Sequence, residues 1–237
     1  RDTFLSLPGL TLYRKIPKPE ICKEVLKTML KDLKGGLLTN IGVGQSAQYN
    51  SADASLWFFW ALQEYADVTK SPLETWKYFR KEINHILDKY KEGTLYNIHM
   101  KKNGLLYGGQ ENVALTWMDA VVDGVPVTPR AGYTVELNAL WYNAICFSIE
   151  MAKSAGDKQF VENWKLVPLS LKTAFKDMFW DEKKGYLADF CDDQSKDWSF
   201  RPNQIFATSL KYSVCDKEMS KSVLENVKYK LLTNKGL

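Results

Sequence analysis

Arginine, aspartate and tryptophan residues occur together in five short segments of this 237-residue chain. Arginine and carboxylate groups form hydrogen bonds with hydroxyl groups, and the flat face of a tryptophan ring covers the C–H face of a sugar ring. If the segments meet in one concave place, they suit a neutral sugar. The segments are Arg1-Asp2-Thr3, Tyr49-Asn50-Ser51-Ala52-Asp53, Leu115-Thr116-Trp117-Met118-Asp119-Ala120, Pro129-Arg130-Ala131-Gly132 and Arg201-Pro202-Asn203-Gln204.

Two kinds of helix are expected to position these segments. Apolar side chains at helical spacing, with one polar face, predict four outer helices: one over residues 21–33 and three that begin at Ser71, Asp157 and Asp216. Ser71-Pro72-Leu73-Glu74 has the pattern of a capping box, whereas Asp157 and Asp216 are expected N-caps. Pro168 is expected to bend the helix that contains it.

Four other segments are apolar nearly all round, which predicts helices buried on most sides. They cover residues 3–13, 54–68, 135–151 and 204–211 and alternate with the outer helices. Each inner helix joins the next outer one by a few residues, whereas residues 35–50, 92–134 and 180–202 form long returns. This pattern predicts an all-α toroid of helical hairpins with the polar segments at its long-loop end. A plain helical repeat array would need a sequence period, and none is visible.

The overall composition excludes several function classes. The net charge of +4 arises from 32 basic and 28 acidic residues spread along the chain, so no nucleic-acid patch is expected. The sequence has no run of 18 apolar residues, so no membrane span is predicted. His85 and His99 lie at no metal-ligand spacing, so we expect neither a metal nor another cofactor. Four cysteines without a CxxC pair are expected as buried free thiols, which favours a reducing, cytoplasmic location.

The polar segments also carry a family resemblance. RDTFLSLPGLTL, YNSADASLWFFWAL, TWMDA, PVTPRAGYTVELNALWYNA and RPNQ resemble, in order, the signature segments of the amylo-α-1,6-glucosidase domain of glycogen debranching enzymes. The resemblance implies an (α/α)6 barrel that hydrolyses α-1,6-linked glucose at glycogen-type branch points with inversion. Four hairpins are counted here, so residues 1–237 are expected to form one domain, an incomplete barrel. A branched α-glucan and other domains of a longer protein are the implied partners.

Inverting glycosidases use two carboxyl groups, one as general acid and one as general base. The resemblance assigns the acid to Asp119, and its neighbours Trp117 and Met118 predict an apolar setting that would raise its pKa. The alternative is a loop aspartate that caps a turn. The family's base is a glutamate near the end of the barrel, and no matching segment precedes Leu237. We therefore expect the base beyond Leu237 and no cleavage by these 237 residues alone.

Further residues are candidates for binding the sugar, each with a structural alternative. Arg1 and Asp2 resemble a hydroxyl-binding pair of related barrels, or form an ion pair. Asp53 is equally an N-cap, and Arg130, Glu136 and Arg201 are equally partners in buried salt bridges. Glu111 is a spare acid candidate. Tyr49, Trp57 and Trp117 complete the candidates, although Trp57, like Trp141, is more typical of a core.

Two other functions fit the same residues. Glucoamylases, trehalases and rhamnosidases share this barrel, so the sugar is not fixed by the fold. A carbohydrate-binding fragment without catalytic activity is the non-enzyme alternative. The TWMDA segment favours an enzyme.

Overall fold

The computed structural model describes residues 1–42 and 44–236, and α-helices form its framework. In chain order they are α1 (Asp2–Thr11), α2 (Pro19–Met29), α3 (Ala54–Thr69), α4 (Pro72–Glu92), α5 (Val135–Ser154), α6 (Lys158–Trp164), α7 (Val167–Phe179), α8 (Phe206–Ser209) and α9 (Lys217–Lys230). Helices α1, α3, α5 and α8 contact one another in succession, and α2, α4, α6, α7 and α9 pack outside them. The predicted alternation of inner and outer helices is therefore present.

The core forms around the two longest inner helices. In α5, 15 of the 20 residues are buried, and the apolar run at the start of α3 is buried as well. Trp141 of α5 is fully buried, stacks on Tyr90 of α4, and donates its indole N–H to the carbonyl oxygen of Gly104 at 3.1 Å. Each large apolar side chain buried in this way stabilises the fold by about 1.5–3 kcal/mol. Trp141 is thus a core residue.

Three predicted helix starts are found, at Asp157, Asp216 and Ser71, but only the first two have the predicted side-chain cap. Asp157 accepts the backbone N–H of Phe160 at 3.2 Å, and Asp216 accepts that of Met219 at 2.8 Å, so both predicted N-caps are confirmed. The capping box predicted at Ser71 is wrong. The Ser71 hydroxyl lies 2.6 Å from Thr69 Oγ1 instead, and it makes no bond to the first turn of α4.

Two helices are shorter than predicted. The expected bend at Pro168 is a break, because α6 ends at Trp164 and Pro168 lies in the first turn of α7, where its missing N–H costs no hydrogen bond. The fourth inner helix, expected over residues 204–211, consists of a 3₁₀ turn, Pro202–Ile205, followed by α8. It ends at Leu210, whose backbone is extended with ψ of 150°.

Short strands, which an all-α prediction omits, lie in the long connections. They are β1 (His99–Met100), β2 (Leu106–Tyr107), β3 (Val121–Val122), β4 (Val125–Pro126), β5 (Tyr133–Thr134), β6 (Trp180–Asp181), β7 (Tyr186–Leu187), β8 (Phe190–Cys191) and β9 (Lys196–Asp197). Strands β1–β2, β3–β4 and β6–β7 pair as antiparallel hairpins, whereas β5, β8 and β9 form one sheet in the order β5-β8-β9. This sheet joins the connection before α5 to the connection before α8.

A glycine permits the close approach in that sheet. Gly132 has φ of +152°, and a Cβ atom there would lie 2.5 Å from the carbonyl oxygen of Cys191. Any larger residue would push β5 away from β8. The residues at β8 would then move away from the first turn of α5, which directly follows β5.

The four cysteines are free thiols, as expected; Cys22, Cys191 and Cys215 are buried and Cys146 is partly buried. Burial raises the pKa of Cys191 and of Cys215 to about 12, so neither is a thiolate near neutral pH. Over the described residues, no helix has the length and apolarity needed to cross a membrane.

Candidate active site

A cavity of about 590 Å³ opens at the end of the helical layer where the inner helices begin. This volume is within the range of sites for small ligands. The first turns of α1, α3 and α5 contribute to its wall, together with the loop before β3 and the start of α8. Its lining residues are Arg1, Asp2, Leu5, Asp53, Trp57, Trp117, Asp119, Glu136, Pro202, Asn203, Ile205 and Phe206.

One wall of the cavity is formed by what we call the Arg1 cluster: Arg1, Ser51, Asp53 and Asp119. Arg1 Nε lies 2.7 Å from Asp53 Oδ2, and Arg1 Nη1 lies 3.2 Å from Asp119 Oδ2. Ser51 Oγ donates to Asp53 Oδ1 at 2.6 Å and accepts the backbone N–H of Ala54, so Ser51 rather than Asp53 caps α3 with its side chain. One guanidinium thus joins the starts of α1 and α3 to the loop that carries Asp119.

The Arg1 cluster is incomplete on the side of the cavity. The Arg1 side chain is only 9% exposed, yet its Nη2 has no hydrogen-bond partner among the described residues. A buried donor of this kind costs free energy unless a ligand or water satisfies it. Asp119 is 46% exposed, and only its Oδ2 is engaged by Arg1. The Asp119 carboxylate is therefore open to a hydrogen-bond donor in the cavity, whereas Arg1 Nη2 is enclosed and lacks a partner.

The apolar setting expected for Asp119 is not found. Trp117 is 44% exposed, Met118 turns its sulfur to Asn203, and the nearest partner of the Asp119 carboxylate is a guanidinium. Asp119 lies on a loop and not at a helix end.

A second group of charges lies behind the cavity, and we call it the Asp189 cluster: Arg130, Glu136, Asp189, Asp197, Arg201 and Asn203. Arg130 holds Glu136 with both terminal nitrogens, Nη2 to Oε2 at 2.7 Å, and its Nε lies 3.1 Å from Asp189 Oδ2. Arg201 Nη1 lies 2.6 Å from Asp189 Oδ2 and 2.7 Å from Asp197 Oδ2. Side chains of Glu136 and Asp189 are 2% exposed. The cluster therefore joins the first turn of α5 to both long connections.

Two carboxyl groups of the Asp189 cluster have shifted pKa values. Burial raises the pKa of Glu136, and the paired guanidinium of Arg130 opposes this shift. For Asp197, burial is outweighed by hydrogen bonds from Ser199 and Arg201, which lower the pKa to about 2. Asp197 is consequently a carboxylate at all but very acidic pH.

The two clusters meet at the loop that carries Asp119. Arg130 Nη1 donates to Thr116 Oγ1 at 3.3 Å, and the indole N–H of Trp117 donates to Asn203 Oδ1 at 2.8 Å. Asn203 Nδ2 donates to Asp189 Oδ1 at 2.7 Å. Trp117 therefore has one edge fixed and one face open to the cavity.

The structure brings most of the sequence candidates to the cavity, but not all. Arg1, Asp2, Asp53, Trp57, Trp117, Asp119 and Glu136 line it. Arg130 and Arg201 lie behind it in buried salt bridges, the structural alternative considered for them. The lining residues do not include Tyr49, whose hydroxyl donates to the carbonyl oxygen of Asp32. Glu111 is exposed in a turn outside the lining.

Trp57 combines the two roles considered for it. It is 5% exposed and packs edge-on against Trp60 and Phe206, which is core behaviour, yet part of its ring lines the cavity.

Asp189 and Phe206 were missed by sequence reasoning, and Asn203 was noted only within its segment. Asp189 lies in a polar connection without periodicity, and its partners are 12, 14 and 59 residues away in the chain. No local signal marks such a residue. The RPNQ segment contains Asn203 and ends two residues before Phe206, so it marked the region but not Phe206 itself.

The described residues offer no group of three or more His, Cys, Asp or Glu side chains that could hold a metal ion. Three carboxylates of the cavity, those of Asp53, Asp119 and Glu136, are instead paired with arginines. The site is thus equipped with hydrogen-bond donors, acceptors and aromatic faces.

The comparison with known proteins agrees with a site made of hydrogen-bonding groups and aromatic rings. The profile of the amylo-α-1,6-glucosidase family matches residues 1–237. The chain belongs to this family. As a member of the amylo-α-1,6-glucosidase family, it is a glycoside hydrolase-type domain related to glycogen debranching enzyme.

A curated relative and two solved structures extend the comparison. The glycogen debranching enzyme of Saccharomyces cerevisiae is 26% identical over 206 residues, covering 64% of this chain and 13% of the relative. The GH78 family rhamnosidase of Bacillus sp. GL1 matches with a TM-score of 0.71 and 18% identity, over 96% of this chain and 22% of that one. A rhamnosidase from Klebsiella oxytoca, solved with rhamnose bound, matches with a TM-score of 0.61 and 14% identity, over 95% and 40%.

These structural matches show the fold alone, a framework built mainly of α-helices. The chain spans only a small part of each relative, from 13% to 40% of its length.

Proposed function

We propose that this domain acts in the inverting hydrolysis of α-1,6-linked glucose at the branch points of a glycogen-type glucan. The proposal rests on one observation: a family member of this kind gathers Asp119, Arg1 and Trp117 around one cavity. Its hairpins are proposed to form part of an (α/α)6 toroid. A branched α-glucan is the proposed substrate, and other domains of a longer protein are the proposed partners.

The terminal glucose is proposed to bind against the Arg1 wall. Arg1 and Asp2 both line the cavity, and Arg1 Nη2 is a buried donor without a hydrogen-bond partner among the described residues. A sugar hydroxyl can accept from Arg1 and donate to Asp2, which satisfies both groups. The half-exposed face of Trp117 is placed to cover the apolar side of a sugar ring.

Asp119 is the proposed general acid. Arg1 engages Oδ2 only, and Oδ1 forms no hydrogen bond among the described residues. A proton on Oδ1 can thus be transferred to the glycosidic oxygen while Oδ2 stays anchored. The C–O bond to glucose breaks, the leaving chain departs as an alcohol, and water adds to the opposite face of the sugar.

The attacking water needs a second carboxylate, about 6.5–9.5 Å from the acid in inverting enzymes. Asp53 and Glu136 line the cavity but are buried and held by arginines, which suits positioning rather than proton abstraction. The base is proposed to be a different residue, the family's glutamate.

Product stereochemistry tests the proposal. The full-length protein is incubated with a dextrin carrying single α-1,6-linked glucose stubs, and the anomeric protons of fresh product are followed by NMR. We expect β-glucose first, with α-glucose appearing only by mutarotation. An initial α-anomer would exclude inversion, and the absence of glucose would exclude this activity. A linear α-1,4-linked maltooligosaccharide serves as the control and is expected to release little glucose.

A further inference from the structure

The amide of Asn203 has its orientation set by its neighbours. Nδ2 lies 2.7 Å from Asp189 Oδ1, and Asp189 is engaged by Arg130 and Arg201 as an acceptor. A carboxylate in such a setting can only accept, so the NH2 group of Asn203 must face it. The Oδ1 atom is therefore directed to the opposite side, towards the indole N–H of Trp117 at 2.8 Å.

Trp117 has no comparable support from packing. Its side chain is largely exposed for an aromatic residue, and no ring contact to another aromatic residue is found among the described residues. The hydrogen bond to Asn203 therefore engages the one polar atom of the ring and sets the position of its indole edge. An indole N–H is a donor only, so Asn203 Oδ1 is a matched partner.

The neighbours of Trp117 are held by the same group of residues. Thr116 Oγ1 accepts from Arg130, and Met118 Sδ lies 3.4 Å from Asn203 Nδ2. Three consecutive loop residues thus contact the Asp189 cluster, and Asp119 follows directly. Asn203 itself is 1% exposed and sits in a 3₁₀ turn that Pro202 begins.

We propose that Asn203 is a positioning residue that holds the Trp117 ring, through its indole N–H, as the sugar-stacking face of the cavity. Its effect on sugar binding passes through Trp117 and does not require contact with the reacting atoms. The sugar-stacking part rests on the proposed function, whereas the fixing of the ring does not.

Fluorine NMR of the full chain labelled with 5-fluorotryptophan tests the fixing of the ring. The chain has eight tryptophans, and the resonance that disappears in Trp117→Phe identifies Trp117. We expect Asn203→Leu to shift or broaden this resonance. Gln204→Leu is the matched control, because Gln204 is the neighbouring buried amide but bonds only to Leu187 and Arg201. An unchanged Trp117 resonance in Asn203→Leu overturns the proposal.

Asn203→Ser carries the same test if Asn203→Leu does not fold. Its side chain is one atom shorter than that of asparagine, so its hydroxyl does not reach the indole, and it is small and polar enough to be accommodated beside Asp189. The expected and overturning results are the same.

A double-mutant cycle on sugar affinity tests the consequence for binding. One hydrogen bond corresponds to about a 2- to 12-fold change in affinity. Trp117→Phe and Asn203→Leu are each expected to weaken binding of a branched dextrin by that factor. The double variant is expected to bind the dextrin no more weakly than whichever single variant binds it less tightly. Multiplied effects would overturn the coupling. A wild-type protein that binds no dextrin refutes the proposed function instead, and the fluorine spectra still decide the fixing of the ring.

Discussion

The Arg1 cluster and the Asp189 cluster use the same residue types for different ends. In each, an arginine bridges two carboxylates: Arg1 joins Asp53 and Asp119, and Arg130 joins Glu136 and Asp189. In the Asp189 cluster, Glu136 and Asp189 are buried and both oxygens of each carboxylate are engaged, and Arg130 Nε, which forms no hydrogen bond, lies 3.1 Å from Asp189 Oδ2. In the Arg1 cluster, one guanidinium nitrogen has no partner and one carboxylate is half exposed. The two clusters therefore differ in the exposure of their carboxylates, because Asp119 is open to solvent whereas Glu136 and Asp189 are buried.

Burial explains why the Asp189 cluster must be complete. Removing a charge from water costs several kcal/mol, and only close partners and hydrogen bonds offset this cost. If one partner of a buried ion pair is lost, the cost of burying the other partner's charge is no longer offset. The Arg1 cluster tolerates an open position because the cavity gives access to solvent or a ligand.

The largest expected effect comes from the exposed carboxylate. Asp119→Asn removes the proposed acid, and general acid catalysis contributes about 10²- to 10⁴-fold, so turnover of a branched dextrin should fall by that factor. Substrate binding should persist, since the amide keeps the size of the side chain. Steady-state kinetics of the full-length protein measure both quantities.

Asp123→Asn is the matched control for this variant. Asp123 is exposed in the turn of the β3–β4 hairpin, with φ of 51°, a conformation that asparagine tolerates. Turnover there should be unchanged. Near-normal turnover in Asp119→Asn would remove Asp119 from the mechanism.

An arginine-to-lysine substitution is expected to have a different main effect in each cluster. Arg130→Lys loses the two-pronged contact with Glu136, so we expect a loss of about 1.5–3 kcal/mol in the free energy of unfolding. Arg1→Lys keeps a cation beside Asp53 but loses the free Nη2 donor, so its main effect should be about tenfold weaker dextrin binding. Urea unfolding and equilibrium binding measure the two effects, and each variant is the control for the other. Equal stability losses would erase the distinction between the clusters.

The smallest effect concerns acid stability. The pKa of Asp197 is lowered to about 2 in the folded protein, so its stabilising contribution is present above its ordinary pKa near 4 and is lost as the pH falls towards 2. The stability difference between wild type and Asp197→Asn should therefore be constant above about pH 5 and shrink below pH 4. Urea unfolding across this range measures it. Asp193→Asn, exposed on the same connection, should show no such change, and a pH-independent difference for Asp197→Asn would contradict the ion pair.

Sequence periodicity sufficed for the helical framework because burial there repeats along the chain. The all-round apolar character of α3 and α5 and the caps at Asp157 and Asp216 depend on neighbours in sequence. The fourth inner helix was predicted too long because a few apolar residues after Gln204 resemble a helix, and Leu210 ends it with extended backbone. The capping box failed because the Ser71 hydroxyl had a competing partner in Thr69.

The site was predictable in its location but not in its connections. Polar segments at the starts of inner helices indicated which side chains would meet, and seven of the eleven named candidates line the cavity. The pairing of Arg1 with Asp119 spans 118 residues and that of Trp117 with Asn203 spans 86, so no local pattern contains them. The apolar setting inferred for Asp119 failed for the same reason, since its adjacent residues turn to other partners.

The central position of α5 has a consequence for biosynthesis. Helices α3 and α4 emerge from the ribosome before α5, whereas its other partners α6, α7 and α8 are made after it. During that interval, the apolar faces that these later helices cover remain open to water, and nascent chains with such surfaces are prone to self-association. Synthesis must proceed through Ser209 before α5 can be enclosed. Truncation of a nascent chain between α5 and α8 would thus leave uncovered the helix that is most deeply buried in the folded domain.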